Sequence, residues 1–114
     1  MKICTIQELM EAEVLVGQER LGDHVYSACG SDMMSDVLAY VKDQAVLLTG
    51  LVNAQVIRTA EMLDTACVVF LRGKEPEASI LELAEKCGVC VLTSPLEMYD
   101  ACGILHQHGV TGAK

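Results

Sequence analysis

The sequence predicts an α/β fold, a three-layer α/β/α sandwich around a mostly parallel sheet. Two observations support this prediction. Short apolar runs alternate with segments of helical periodicity along the 114 residues, and such alternation is typical of parallel sheets whose crossover connections are helices. The run Ala45-Val46-Leu47-Leu48 is unbroken by polar residues, which indicates a strand that is covered on both faces.

The central unit of this fold extends from Gln44 to Asp64. Thr49 and Gly50 end the apolar strand. Asn53 is suited to cap the helix that follows, because its side-chain oxygen can accept a hydrogen bond from a free backbone N–H of the first turn. The helix is predicted by apolar residues at helical spacing, which are Val56, Ile57, Ala60 and Leu63.

The other strands and two of the helix starts follow from similar patterns. Apolar runs predict strands at 14–16, 24–29, 67–71 and 89–92. A capping box of Thr5 with Glu8 predicts a helix that extends to about residue 12. A second capping box, Ser94 with Glu97, predicts the start of the last helix, with a proline at its first position.

The remaining helix ends are marked by residues with special backbone preferences. One helix is expected to begin with Ser31 or Asp32 as its N-cap. The helix after the strand at 67–71 is expected to start near Pro76 and to end at Gly88, and Gly109 ends the last helix. We therefore expect one domain over residues 1–114, with an N-terminal extension at 1–22 and a frayed tail at 110–114.

The composition excludes several classes of partner. The net charge is −8, from 16 acidic and 8 basic residues, so nucleic acid and anionic membranes are not expected as partners, since both require a basic face. We find neither a signal-peptide core at the N-terminus nor an apolar window long enough to span a bilayer. A cytoplasmic location is expected.

Four loops follow the predicted strands, and in a parallel sheet they lie at the same edge. Such an edge is where ligands bind in open α/β sheets, and its hydroxyls, amide and two cations suit a small polar or anionic ligand. The predicted ligand-binding residues are Ser31, Asp32, Thr49, Gly50, Asn53, Arg72, Gly73, Lys74, Thr93 and Ser94. No phosphate-binding fingerprint is present, so these loops also fit simple turn and cap chemistry.

The cysteines and histidines allow two further interpretations. Cys87 and Cys90 have the spacing of a redox pair, but Cys87 falls at a helix C-terminus, where the helix dipole disfavours a thiolate. Zinc held by these thiols with His106 and His108 is the second interpretation. Packing of small apolar thiols is favoured over both. We predict no catalytic residue, no metal and no cofactor.

Five stretches around the strand ends carry a resemblance to a known family, and they are 31–38, 47–51, 53–60, 69–74 and 92–93. On these stretches the chain resembles the DRTGG domain family from residue 24 to residue 109. Asp32 corresponds to the Asp of the family motif, with Met33 in place of the Arg. Thr49 and Gly50 correspond to its Thr-Gly, with Leu51 in place of the second Gly.

This resemblance implies a domain similar to the N-terminal domain of HPr kinase/phosphorylase. It also implies a non-catalytic regulatory or accessory role, with a nucleotide or acyl phosphate as ligand or with a protein partner at the strand-end loops. Stand-alone forms suggest an anaerobe and an association with iron-only hydrogenase components, so a redox or metal-handling accessory protein is the alternative function. A homo-oligomer is expected, with a dimer favoured.

Overall fold

Five strands form one sheet between two layers of helices in the computed structural model, which describes residues 1–41 and 44–112. In chain order the elements are α1 Ile3–Leu9, β1 Glu13–Val16, a 3₁₀ turn Gln18–Arg20, β2 Ser27–Gly30, α2 Met34–Tyr40, β3 Ala45–Thr49, α3 Ala54–Leu63, β4 Cys67–Phe70, α4 Ala78–Cys87, β5 Val91–Thr93 and α5 Met98–Gln107.

The sheet is mostly parallel, as the sequence predicts. Its strand order is β1-β5-β4-β3-β2. Strands β2, β3, β4 and β5 are parallel to one another, and β1 pairs antiparallel with β5 as the outermost strand on that side of the sheet. The four parallel strands therefore end at a common edge of the sheet.

Each face of the sheet supports its own apolar core. Val46 and Leu48 of β3 face the core formed with α1 and α5, whereas Ala45 and Leu47 face the core formed with α2, α3 and α4. Every residue of β3 is buried. The unbroken apolar run is explained by this arrangement, because neither face of the central strand contacts solvent.

Helix α3 begins as predicted. The side-chain oxygen of Asn53 accepts a hydrogen bond from the backbone N–H of Val56 at 3.1 Å, which satisfies one of the free donors of the first turn. The helix buries Val56, Ile57 and Ala60, and its C-cap, Asp64, adopts a left-handed conformation with φ 51°.

The predicted capping box at Thr5 is wrong. Helix α1 begins at Ile3, with Lys2 as an N-cap that makes no side-chain hydrogen bond. Backbone carbonyls take over the capping role, since the N–H of Ile3 donates to Asp23 and the N–H of Cys4 donates to Leu21. The helix thus begins at Ile3, where the carbonyls of residues 21 and 23 accept hydrogen bonds from the first free N–H groups of the helix.

Strand β2 and helix α2 also begin later than predicted. Residue 24 forms a bridge with Lys2 instead of joining the sheet, so β2 starts at Ser27. The N-cap of α2 is Met33, not Ser31 or Asp32. The Asp32 carboxylate is instead engaged by the β3–α3 loop, where a tertiary contact replaces the local cap.

The predicted capping box at Ser94 is wrong as well, because α5 begins only at Met98. The buried Ser94 hydroxyl donates to the carbonyl of Met10 at 2.6 Å and accepts from the N–H of Leu96 at 3.1 Å. It therefore ties the end of β5 to the residue after α1. Strand β5 itself occupies 91–93 instead of 89–92.

The expected frayed tail is not found at residues 110–112. Val110 is buried in the core beneath α5, and the carbonyl of Thr111 accepts a hydrogen bond from the N–H of Ala28 at 2.9 Å. Gly112 continues this contact as a parallel bridge to Ala28. The rest of the predicted tail, 113–114, lies outside the described residues.

Replacing Ser94 with alanine should destabilise the fold more than a comparable surface change. The Ser94→Ala variant leaves the buried carbonyl of Met10 without its donor, so we expect the free energy of unfolding to fall by about 1–3 kcal/mol. Urea unfolding of the variant and the wild type would measure this difference in the free energy of unfolding. Ser79→Ala, on the exposed first turn of α4, is the matched control and should change the value by less than about 0.5 kcal/mol. Equal effects would contradict the role given to Ser94.

Candidate functional site

The four strand-end loops are brought together at one edge of the sheet, as the sequence predicts. The β2–α2 loop contacts the end of β3, since the N–H of Ser31 donates to the carbonyl of Leu48 at 3.0 Å. The β4–α4 loop contacts the end of β5, since the N–H of Gly73 donates to the carbonyl of Ser94 at 2.8 Å. The edge is thus one continuous hydrogen-bonded surface.

Asp32 is the acceptor at the centre of this surface. Its Oδ1 accepts a hydrogen bond from the Thr49 hydroxyl at 2.9 Å and another from the backbone N–H of Gly50 at 2.8 Å. The Thr49 hydroxyl in turn accepts from the N–H of Leu51 at 3.1 Å. One carboxylate therefore orders the whole start of the β3–α3 loop.

The cation of this surface is Lys74, on the β4–α4 loop. Its Nζ donates to the carbonyl of Gly50 at 2.5 Å. The backbone carbonyl of Lys74 accepts from the hydroxyl of Thr93 at 2.7 Å. Lys74 therefore joins the ends of β3, β4 and β5, and its ammonium group lies beside the loop that Asp32 holds.

The pKa of Asp32 is lowered from its ordinary value of 3.8. The main cause is the hydrogen bond from the backbone N–H of Gly50 to the charged form. Burial is the second-largest effect and raises the pKa, whereas the Thr49 hydroxyl and the positive charges of Lys74 and Arg72 each lower it further. The carboxylate stays ionised at neutral pH, which makes Asp32 an acceptor and not a proton donor.

Several of the predicted site residues have structural roles at this edge. Ser31 Oγ accepts from the N–H of Met33 at 3.0 Å, Asn53 caps α3, and the Ser94 hydroxyl points away toward Met10. Arg72 and Gly73 form the turn after β4, and both have positive φ, 61° and 66°. The side chains that converge are those of Asp32, Thr49, Lys74 and Thr93.

An open groove of about 590 Å³ adjoins this surface, between the start of α3 and the β4–α4 loop. It is lined by Val52, Asn53, Ala54, Lys74, Glu75, Glu77, Ser79 and Ile80. Glu75, Glu77 and Ser79 were not among the predicted site residues, which on the β4–α4 loop ended at Lys74. The length of the loop between Lys74 and the start of α4 at Ala78 could have indicated them. A loop of this length extends beyond the ends of the strands.

The cysteines lack the features of a redox pair. Burial raises the pKa of the Cys90 thiol to about 11, and Cys87 lies in the last turn of α4, ahead of the left-handed Gly88. All six cysteines are free thiols. Across residues 1–41 and 44–112, no three His, Cys, Asp or Glu side chains converge as metal ligands. No helix in the same ranges is long and apolar enough to cross a membrane.

The family of the chain follows from comparison with family models. The model of the DRTGG domain matches residues 5–108. The chain belongs to the DRTGG domain family. The match extends the resemblance found from residue 24 onward to most of α1, to β1 and to the 3₁₀ turn. No curated protein matches the chain.

A solved structure shows the same fold. It is the crystal structure of the CBS and DRTGG domains of the regulatory region of Clostridium perfringens pyrophosphatase, complexed with the activator diadenosine tetraphosphate. The identity is 20% and the TM-score 0.74, over 93% of this chain and 46% of that chain. The DRTGG chain thus spans less than half of its structural neighbour. Neither match concerns hydrogenase, so that association stays a prediction.

Removing the charge of Asp32 should change how stability depends on pH. Because the folded-state pKa is lowered, the carboxylate stabilises the fold above its unfolded-state pKa, and this contribution is lost as pH falls through the folded-state value. Asp32→Asn should therefore be less stable than the wild type at pH 7, with the difference vanishing in acid. Urea unfolding between pH 7 and about pH 2 would measure both curves.

Asp36→Asn is the matched control for this experiment. Asp36 lies on the first turn of α2, away from the Thr49 and Gly50 donors, so Asp36→Asn should lose less stability at pH 7 than Asp32→Asn does. A constant difference between Asp32→Asn and the wild type at every pH would contradict the assigned role of the carboxylate.

Proposed function

We propose that this DRTGG chain is a non-catalytic regulatory module that binds a small phosphorylated ligand in the groove at the strand ends. The proposed ligand is a nucleotide. The observation that carries the proposal is the meeting of Lys74 with the N-terminus of α3 in one open groove. Both features favour a negative charge at the same place.

The anionic part of the ligand is assigned to the end of the groove formed by α3. The first backbone N–H groups of a helix have no acceptor within the helix, and in α3 the Asn53 side chain engages only the N–H of Val56. The N–H groups of Ala54 and Gln55 are the remaining donors of the first turn. Together with Lys74 they form the donor set of an anion site.

The groove also offers acceptors for hydroxyl groups. Glu75 and Glu77 line it on the β4–α4 loop, across from the start of α3, and both side chains are exposed. Carboxylates repel a phosphate, but they accept hydrogen bonds from sugar hydroxyls, as the acidic residue of dinucleotide-binding folds does. A ligand with a phosphate at one end and hydroxyls at the other fits this polarity, which favours a nucleotide over an acyl phosphate. The groove volume lies within the usual range for small-molecule sites.

The structural neighbour supports the ligand class. It is a regulatory region, and its crystals contain an adenine dinucleotide activator. The neighbour also includes CBS domains, so its ligand is an argument for the class of ligand and not for its position. The placement in this chain depends on Lys74 and α3 alone.

A catalytic role is disfavoured by the protonation states of the candidate groups. The lowered pKa of Asp32 makes it a poor general acid. Burial raises the pKa of the Cys29 and Cys102 thiols, which disfavours the thiolate that a nucleophilic cysteine requires. These directions support a binding module and not an enzyme.

Self-association stays a prediction, and four exposed apolar side chains support one surface for it. Tyr26, Met33, Leu38 and Tyr40 are all exposed. Tyr26 directly precedes β2, and the other three are the N-cap of α2 and two residues within it. Clusters of exposed apolar residues are typical of protein contacts. We propose this side of the molecule as the dimer contact, and light scattering of the purified chain would measure its mass in solution.

A thermal-shift comparison of AMP, adenosine and acetyl phosphate tests the nucleotide site. AMP should raise the melting temperature, because a ligand bound only by the folded state stabilises it by about 2.7 kcal/mol at a hundredfold excess over its dissociation constant. Adenosine lacks the phosphate and acetyl phosphate lacks the sugar, so each should give a smaller shift. Lys74→Ala should abolish the AMP shift.

Lys86→Ala is the charge-matched control, since Lys86 is an exposed lysine in the last turn of α4. It should retain the full AMP shift. Glu77→Gln should weaken AMP more than acetyl phosphate. If no phosphorylated compound shifts the melting temperature, or if Lys74→Ala binds as the wild type does, the proposed site is wrong and a protein partner becomes the better candidate for this edge.

A further inference from the structure

The start of the β3–α3 loop offers a second set of anion donors beside the groove, and these donors hold a carboxylate of the chain itself. The Thr49 hydroxyl and the Gly50 N–H both donate to Oδ1 of Asp32, at 2.9 and 2.8 Å. Asp32 is not among the residues that line the proposed nucleotide groove, whereas Lys74 is. The carboxylate therefore lies outside the groove but next to its cation.

Positive charge is concentrated at the place that the carboxylate occupies. A Cβ atom built on Gly50 would lie 3.7 Å from both carboxylate oxygens of Asp32 and 3.8 Å from Nζ of Lys74. One point above the Gly50 backbone is thus close to the carboxylate and to the ammonium group. The charges of Lys74 and Arg72 both lower the pKa of Asp32. Two of the eight basic residues thus favour an anion here, in a chain whose net charge is −8.

The donors at this place are fixed, whereas the carboxylate that they bind is exposed. Thr49 is fully buried at the end of β3, and its hydroxyl accepts from the N–H of Leu51, so its own hydrogen is directed toward Asp32. Asp32 is an exposed residue of the β2–α2 loop. Exposed contacts of charged side chains contribute little, because water competes for both partners. Another anion can therefore replace the carboxylate while the donors stay in position.

We propose that the Asp32 carboxylate is an exchangeable internal anion, which the second phosphate of a nucleoside diphosphate displaces. This inference rests on the proposed nucleotide site, where the first phosphate binds at the N-terminus of α3. Lys74 connects the two anion positions, because it lines the groove and its Nζ donates to the carbonyl of Gly50. A ligand with two adjacent phosphates uses both positions, whereas a monophosphate uses one.

The exchange has a direction that separates it from a purely structural role of Asp32. A terminal phosphate carries about 1.5–2 negative charges and three acceptor oxygens, so it binds the Thr49 and Gly50 donors more strongly than one carboxylate oxygen does. The carboxylate competes for these donors, which lowers the affinity for the second phosphate. Removing Asp32 should therefore tighten binding of a diphosphate. A side chain that only ordered the loop would weaken binding when it is removed.

Titration calorimetry with AMP and ADP, at constant ionic strength, tests the direction of this effect. In the wild type ADP should gain little affinity over AMP, because its second phosphate must displace Asp32. In Asp32→Ala the ratio of the AMP to the ADP dissociation constant should rise by at least about tenfold, since a like charge no longer lies beside the second phosphate.

Two further variants make this comparison specific. Asp32→Asn keeps an amide oxygen for the Thr49 and Gly50 donors, so it protects the fold and should raise the ratio in the same direction but less. Asp36→Ala removes a carboxylate from the first turn of α2 and should keep the wild-type ratio. An unchanged or lower ratio in both Asp32 variants would overturn the inference.

Inorganic phosphate distinguishes a failure of this inference from a failure of the nucleotide site. Asp32→Ala should bind phosphate more tightly than the wild type does, and adding Lys74→Ala should remove that gain. If AMP binds the wild type but Asp32→Ala gains no affinity for phosphate or ADP, the groove is supported and the exchange is wrong. If no nucleotide binds but the phosphate gain appears, the anion position above Gly50 is supported and the groove, together with its diphosphate ligand, is wrong.

Discussion

The burial of β3 on both faces is the constraint on which the rest of the molecule depends. Its side chains alternate between two separate cores, and each large apolar side chain buried in this way contributes about 1.5–3 kcal/mol. A strand in this position has no solvent face, so its polar groups can appear only at its end. Thr49 ends the strand, and there the Asp32 carboxylate and the β3–α3 loop meet.

The parts of the fold that the sequence predicted are those in which the local pattern and the tertiary structure agree. The β3 run, the Asn53 cap and the left-handed Gly88 all have the surroundings that their neighbours in sequence imply. The predicted caps at Thr5, Asp32 and Ser94 failed for one shared reason. The free backbone groups at a helix end, and the side chains that could cap them, can each find more than one hydrogen-bond partner. In all three cases the partner belongs to a segment distant in sequence.

The candidate site was predicted by topology more than by any motif. Parallel strands bring their carboxyl ends together, so Asp32, Thr49 and Lys74 could be grouped before their contacts were known. The groove residues Glu75 and Glu77 depend on the path of the β4–α4 loop. The hydrophobic periodicity of a single segment does not determine that path, so these residues could not be predicted from the sequence.

The pairing of residues 111–112 with Ala28 of β2 affects how copies of the molecule can assemble. A sheet grows by adding a strand to an edge whose N–H and C=O groups are unpaired. At one edge the N–H of Ala28 is already used by Thr111, and at the other edge β1 is irregular between Val14 and Val16. Both rows of backbone groups are thus poor templates for another strand. A stable pair of such molecules would have to meet through side chains, and polymerisation by strand addition is disfavoured from the start.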